Sequence, residues 1–581
     1  MRNAEVAALF EEFADLLEAQ GVEYKPNAYR RAAENIRDHP RAVEDMAAAG
    51  GADAVAEIDR VGDAIASKVV EYLDSGAIEE LEELRADLPV DMAALTRVEG
   101  VGPKTVGTLY EELGIATLDE LEAAAEAGEI RAIKGFGAKT EQNILDNVGF
   151  AKEAGKRQRL GDARPLADDV VGHLDHESFV ERIDVAGSIR RWKATIGDVD
   201  VLVASDDGAA VVDAFVDWDG ADDVIEAGEQ KASVRAEGVR IDLRVVVPEE
   251  FGAALQYFTG SKAHNVTLRN LAIDRGLKLN EYGVFDVRDV DDADAGQRVG
   301  ERLGGADEAE MYGALDLPVI PPELREDTGE IRAALDGDLP DPVTEGAIRG
   351  DLHTHTNWSD GGTTVAEMVR AAADRGYDYH CVTDHAAGPG VFGDAGLSDA
   401  DVREQADEVA AVREDADVEV FHGVEANIDA DGDVTTSDDL LADLDIVVAS
   451  PHAALDSGEA TDRLIRAVEH PHVDVLGHPT GRLINRREGL EVDFERLAEA
   501  AAAAGTALEV NANPARLDCD GDAVRAAVEA GAPVAVNTDA HSPSEFDNVR
   551  YGVHTARRGW ATAADVVNTR DAAGLRDFLE G

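Results

Sequence analysis

Two stretches of this 581-residue chain hold residues spaced for metal chemistry. At 351–361 the sequence reads DLHTHTNWSDG, with His353 and His355 separated by one residue and Asp360 five further on. Side chains two apart leave a strand on the same face, and the loop that follows can swing a carboxylate back to them. Upstream, GSIRRWKATIGDVDVL places Asp198 and Asp200 on one face of a strand, and Asp242 in VRIDLRV offers a third carboxylate. An isolated D-x-D says little, because exposed strands often carry acids. Three converging carboxylates, however, can hold two divalent ions about 4 Å apart for in-line phosphoryl transfer. Ser188 and Arg191 in the same motif suit phosphate oxygens, the arginine through its planar fork.

The first stretch is not alone. Eleven of the fifteen histidines follow residue 350, and His385, His452, His478 and His541 sit just past apolar runs, as do Glu425 and Asp539. With His353, His355 and Asp360 they make nine nitrogen and oxygen donors without thiolate, a set suited to zinc or manganese. Nine donors exceed what one ion can use, so two or three Mn²⁺ or Zn²⁺ ions are expected. His380, His422, His470, His472 and His554 lack that placement and read as structural or exposed.

The elements that must position these groups follow from the pattern. Beyond 346, strand-like runs (YHCVTDH, EVFHGVEANI, DIVVASPH, DVLGHPT, ALEVNANP, PVAVNTDAH) alternate with alanine-rich helices. Such alternation predicts a parallel β/α barrel over 347–581, with polar groups past the strand ends. Residues 161–250 read as α/β, with strands at RIDVAGS, DVDVLVAS and VRIDLRVVV, and 251–318 as a compact helical and short-strand segment. The proline-rich stretch 319–346 reads as a linker. Residues 1–85 and 86–160 read as two helical domains.

Within those helices, LTRVEGVGPKTVGTLYEELGI and IRAIKGFGAKTEQNIL repeat one pattern, an apolar helix end, a G-x-G turn and a lysine entering the next helix. Gly100, Gly102 and Lys104 form one copy, and Gly135, Gly137 and Lys139 the other. A weaker copy, IDRVGDAIASKVVEYL, carries Arg60 where a glycine is expected. Backbone N–H groups exposed at such a turn suit a phosphate.

A net charge of −67 argues superficially against nucleic acid. Yet the acidity covers every segment without erasing helical periodicity, and no lysine follows residue 278. That is the surface of a protein adapted to molar salt, where the Debye length is about 3 Å. Net charge therefore says little about partners, and the positions that kept lysine say more. No apolar run reaches the roughly 18 residues of a membrane span, the N-terminus lacks a signal pattern, and two cysteines give no disulfide framework. A cytoplasmic protein is expected.

Residues 1–318 resemble family X DNA polymerases, the group of polymerase beta, through NAYRRAA, SKVVEYLDSGAIEELEEL, GSIRR…GDVD and YFTGSKAHNVTLRNLAIDRGLKLNEYG, in that order. The glycine turns are similar to helix-hairpin-helix motifs, which hold DNA backbone without reading sequence. The resemblance implies a nucleotidyltransferase palm and a thumb, with Mg²⁺ or Mn²⁺ at Asp198, Asp200 and Asp242. It places Gly187 beside Ser188 and Arg191 at the nucleotide, Tyr257, Phe258 and Gly260 along the incoming sugar, and Asn265 and Arg269 near the nascent base pair. Lys68 falls where the family keeps a lyase lysine able to form a Schiff base at an abasic site. Its bland alternative is a phosphate contact. Ala194 departs from members that carry glutamate there.

The nine C-terminal donors are similar to the metal pattern of the polymerase and histidinol phosphatase (PHP) domain. Joined to a family X polymerase, this is the architecture of bacterial and archaeal polymerase X enzymes. The combination implies gap filling in repair with a 3′–5′ exonuclease and an abasic-site endonuclease, acting as a monomer on gapped or nicked DNA and deoxynucleoside triphosphates. The alternatives are a phosphatase or pyrophosphatase in the barrel, or a DNA-binding scaffold with inert centres. A template-independent nucleotidyltransferase shares the carboxylate core but not the N-terminal DNA handles.

Overall fold

The computed structural model describes residues 3–580 apart from 23–24, 40, 42, 59, 97, 99, 155–156, 294, 392–394, 456–459, 486 and 488. The chain divides into two units. The first comprises Met1–Arg157, Glu237–Val239 and Lys262–Lys278, and the second Gln158–Ala236, Arg240–Ser261 and Leu279–Gly581. No described helix is long and apolar enough to cross a membrane.

The first unit is helical. Helix Asn3–Ala19 buries Val6, Phe10, Phe13 and Leu17, the spacing of one helical face, and Tyr29 of helix Lys25–Asp38 stacks on both phenylalanines. Gly107 lets helix Pro103–Leu113 lie against the end of the first helix, where a Cβ would fall 2.0 Å from the Ala19 carbonyl oxygen. The repeated turns share one backbone device. Gly100 and Gly135 have φ of +81° and +98°, and Arg60 takes the same left-handed conformation at +63°. The departure at Arg60 thus changes the residue and keeps the turn.

In the second unit a five-stranded sheet runs Arg182–Val185, Val199–Ala204, Val239–Val246, Lys231–Ala236, Asp223–Ala227. The last two strands were not expected from the sequence; Asp223–Ala227 is mostly exposed and lacks an apolar alternation. Strands Val199–Ala204 and Val239–Val246 are parallel, with Asp200 opposite Asp242.

The C-terminal sheet has seven parallel strands in sequence order, Gly350–Asp351, Tyr379–Val382, Glu419–Ile428, Ile446–Pro451, Val475–Leu476, Ala507–Asn511 and Val534–Asn537. A parallel bridge between Thr354 and Ala540 brings the two ends together, nearly closing a barrel. Most strand residues are buried on both faces, as the apolar runs require when helices cover a parallel sheet.

Residues 319–346 are packed rather than extended. They carry a 3-10 turn, Pro322–Leu324, and a helix, Glu330–Asp336, and bury Arg325, Glu323 and Glu330. Proline was a poor guide to a linker here because its fixed φ also suits a tight packed turn.

Candidate active sites

The carboxylate centre is built where strand Val199–Ala204 begins beside the parallel strand Val239–Val246. Asp198 stands just before strand Val199–Ala204, Asp200 lies within it, and Asp242 faces Asp200 across the ladder. Ligand atoms of the three come within 4.8 Å of one another. Burial raises the Asp200 pKa to about 7, and the neighbouring charges of Asp198 and Asp242 add to it. Mutual repulsion of this kind is relieved by a cation. Asp242 is held by Arg240, whose Nε donates at 2.8 Å, and by the Ser233 hydroxyl.

Gly187 is required twice. Its φ is +63°, and a Cβ would fall 2.2 Å from Asp200 Oδ2. The turn Gly187–Arg190 carries Ser188, and Arg191 follows it, donating from Nε to Glu326 at 3.0 Å and from Nη1 to the Thr259 carbonyl at 2.6 Å. Arg190 is committed elsewhere, to Glu308. Phe258 lines the pocket beside Asp200 and Asp242, under the Arg244 guanidinium, with Tyr257 edge-on to it. Gly260 caps helix Phe251–Thr259 with φ −59°, so its backbone alone does not demand glycine. Asn265 and Arg269 lie on helix Lys262–Asp274, which groups with the N-terminal helices.

In the helical unit, Gly102 and Gly137 are exposed, and nothing lies within 4 Å of a Cβ at either. Neither has a left-handed φ. Neither the packing nor the backbone conformation of the protein itself requires glycine there. Lys104 and Lys139 are exposed beside them. Lys68, on helix Asp63–Ser75, is 16% exposed and pairs with Glu80 at 2.6 Å, its ammonium 5.7 Å from the Phe13 ring. That pair must open before the amine could act as a nucleophile.

The histidine centre gathers all nine donors at one end of the barrel. His353 and His355 follow the short strand Gly350–Asp351 rather than lying within it. Their Nε2 atoms are 3.2 Å apart. Glu425, buried on the long strand Glu419–Ile428, lies 2.6 Å from His385, 2.9 Å from His478 and 3.2 Å from His452. Asp360 approaches His541 at 3.3 Å and His385 at 3.6 Å, and Asp539 approaches His355 at 3.1 Å. Three overlapping groups have ligand atoms close enough to share an ion: His355, Asp360, His385 and His541; His353, His355 and Glu425; and His385, Glu425 and His452.

The donor chemistry fits cations. Buried His385 Nδ1, His452 Nε2 and Glu425 Oε2 make no hydrogen bond although charged neighbours crowd them. Burial opposes charge on the His385 ring, yet Glu425 and Asp360 raise its pKa to about 10. Burial likewise opposes the Glu425 carboxylate, and His452, His385 and His353 still hold its pKa well below the usual range. Bare acids and imidazoles are stabilising one another where ions would do so.

Sequence reasoning missed the residues behind these donors. Glu509 is fully buried and accepts from His353 Nδ1 at 2.8 Å and from the His478 backbone at 2.7 Å. Asn427 contacts His452 Nδ1 at 2.8 Å, and Asn511 donates to Asp539 at 3.1 Å. Arg516 lies 3.6 Å from Asp539, its loop held by Arg482 through the Arg516 and Leu517 carbonyls. An acid inside the apolar run ALEVN was the available signal for Glu509, since glutamate is almost never fully buried unpaired.

Comparison with known proteins accords with this geometry. Residues 1–78 match a helix-hairpin-helix domain, 92–148 a SAM-like helix-hairpin-helix tandem, 254–326 the DNA polymerase beta thumb and 351–513 the PHP domain. The chain is 35% identical over 587 aligned positions, spanning all of both proteins, to the DNA polymerase/3′-5′ exonuclease PolX of Bacillus subtilis (strain 168). It is 26% identical over 347 residues to DNA polymerase lambda of Rattus norvegicus, covering 56% of each. A protein named as a probable phosphatase of Thermoanaerobacter sp. (strain X514) is 28% identical over 244 residues, 40% of this chain and 94% of that one. The full-length match, with the thumb and PHP domains in the same chain, leads to one conclusion: the chain belongs to the family X DNA polymerases that carry a C-terminal PHP domain.

Proposed function

We propose that this protein fills short gaps during DNA repair with the carboxylate centre and trims 3′ ends with the histidine centre, one chain serving both tasks. The observation that carries this reading is the presence of two separate donor clusters, Asp198, Asp200 and Asp242 in one and, in the other, seven histidine-centre residues joined by His478 beside Glu425 and Asp539 beside His355.

In the first centre, divalent ions at the three carboxylates supply charge stabilisation for phosphoryl transfer; Mg²⁺ or Mn²⁺ suits their oxygen donors. Gly187 lets the nucleotide motif pass against Asp200, Ser188 and Arg191 take the triphosphate, and Arg240 with Ser233 fixes the Asp242 carboxylate. Phe258 and Tyr257 border the sugar. In the second centre, Mn²⁺ or Zn²⁺ ions supply Lewis-acid polarisation for phosphodiester hydrolysis. Glu509 and Asn427 orient the rings of His353 and His452 from behind, and Arg516 stands ready beside Asp539 for a phosphate oxygen. The same centre serves abasic-site incision, and Lys68 serves the lyase step. Gly100, Gly102 and Lys104, with Gly135, Gly137 and Lys139, grip the DNA backbone. The acidic surface is an adaptation to molar salt, and the protein works as a cytoplasmic monomer on gapped or nicked DNA.

The test uses the full chain in molar KCl with Mn²⁺ and a 5′-labelled gapped duplex, with and without nucleotides. Asp198→Ala with Asp200→Ala abolishes extension and leaves 3′ shortening; His353→Ala does the reverse. Loss of both activities in either folded variant defeats the reading of two independent centres.

A further inference from the structure

The residue that follows the nucleotide motif GSIRR is Trp192, and its backbone is left-handed, with φ +53°. A bulky residue adopts that conformation only where its surroundings over-determine it. The surroundings come in part from the C-terminal domain, through His554 and Arg550, and in part from helix Leu160–Asp175. The Trp192 ring stacks on His554 with centroids 3.7 Å apart and planes 3° from parallel. Arg164 and Arg550 lie 4.6 and 5.4 Å from the same ring, and both pair with Asp168, at 2.7 and 2.6 Å.

His554 and Arg550 belong to helix Val549–Arg558, which follows the barrel's last strand. The last residue of that helix reaches the nucleotide motif directly. Arg558 donates to the Arg191 carbonyl at 2.9 Å and lies 3.3 Å from Glu326, the carboxylate that accepts from Arg191 Nε. His554 is itself fixed by Glu323 at 2.6 Å, a carboxylate it shares with Arg557. Burial opposes charge on Glu323, yet His554 and Arg557 hold its pKa at about 2, so the carboxylate stays charged. Nearby, Gly161 admits Pro514 so closely that a Cβ would fall 2.4 Å from it, a second close approach between the same two domains.

None of these contacts touches the three carboxylates, and none involves a candidate ligand of the histidine centre. Apart from the Gly161–Pro514 approach, they converge on Arg191 and Trp192, the end of the segment 188–192. We propose that helix Val549–Arg558 of the PHP domain is a positioning element of the polymerase centre: His554 on Trp192, and Arg558 on Arg191 and Glu326, fix the segment that presents Ser188 and Arg191 to the nucleoside triphosphate. This rests on the assignment of Ser188 and Arg191 to nucleotide phosphates. The hydrolytic domain thereby sets nucleotide affinity for synthesis, which gives a physical reason for the two domains to be docked and not merely tethered.

The experiment is single-nucleotide insertion on a gapped duplex by the full chain, with KM for the nucleotide and kcat measured separately. Shortening of 3′ ends without nucleotides serves as the control for folding. His554→Ala and Arg558→Ala are each expected to raise KM about tenfold, the size of one lost hydrogen bond to a charged group, with kcat and 3′ shortening little changed. A role confined to global stability would lower both activities together and leave KM alone. Arg191→Ala tests the underlying assignment: if it leaves KM unchanged, that assignment fails and takes the inference with it. If Arg191→Ala raises KM while both helix variants keep the wild-type value, the inference alone is overturned. Should the alanine variants misfold, Arg558→Met decides. Both contacts come from the single nitrogen Nη1, and methionine keeps much of the side-chain volume but donates no hydrogen bond, so a raised KM supports the proposal and an unchanged one overturns it.

Discussion

Replacing Gly187 with alanine adds one carbon at the tightest point of the carboxylate centre. The new Cβ would stand 2.2 Å from Asp200 Oδ2 and 3.3 Å from its Cγ. An ordinary carbon–oxygen contact is about 3.2 Å or longer, so the carboxylate must retreat by about 1 Å. Asp200 faces Asp242 across a parallel ladder, and a retreat of that size undoes their convergence. Misplacement of a reacting group by about 1 Å costs about 100-fold in rate, equivalent to about 2.7 kcal/mol in the barrier. Alanine at φ +63° adds about 1–2 kcal/mol of backbone strain, seen as a small fall in Tm. Insertion on a gapped duplex should therefore drop at least about 100-fold, while 3′ shortening persists. Gly172→Ala is the matched control. It lies inside helix Leu160–Asp175 with nothing within 4 Å of a Cβ and no left-handed φ, so it should be silent or gain about 0.5–1 kcal/mol. A folded Gly187→Ala protein that inserts within about threefold of the parent would refute the argument that this glycine makes room for Asp200.

Three further outcomes follow from the geometry. Counterion release normally costs a phosphate-gripping interface about 10³-fold or more in affinity between 50 and 200 mM salt, so in molar KCl the backbone contacts should dominate: Gly102→Val is expected to weaken DNA binding more than Lys104→Ala, and the opposite order in a binding titration would count against backbone gripping. Borohydride with a preincised abasic duplex should trap an adduct that Lys68→Ala removes while gap filling survives; an undiminished adduct in the variant leaves Lys68 as a phosphate contact. Burial opposes charge on Glu308, but Arg325 and Arg190 hold its pKa at about 2. A depressed carboxylate stabilises the fold above its ordinary pKa and loses that contribution as pH falls through the folded value. Glu308→Gln should therefore cost about 3 kcal/mol near neutrality, shrinking between about pH 4.5 and pH 2; melting curves showing a constant deficit across that range would contradict it.

What the sequence determined by itself is local in origin. Alternating apolar runs and helices specify a parallel barrel because a strand buried on both faces must be apolar along its length, and most of the donors stand out as polar residues past those runs, with Glu425 inside its strand. The Asp198–Asp200 spacing is legible because the strand period is two, and the turns at Gly100 and Gly135 because a left-handed φ favours glycine. Tertiary structure alone decided which distant groups meet. His353 and Glu509 are 156 residues apart in sequence, and no periodicity encodes that hydrogen bond. Gly187 reads as an ordinary turn glycine until Asp200 is seen against it. Residues 319–346 carry proline and charge in the proportions of a linker, yet Arg325 is fully buried because Glu308 and the Ile320 carbonyl receive its guanidinium. His554 falls outside every metal pattern, and its stack on Trp192 arises only when the helix after the barrel docks on the palm. Local pattern specifies which face of an element is buried; the identity of its partner depends on packing between segments that the chain itself keeps far apart.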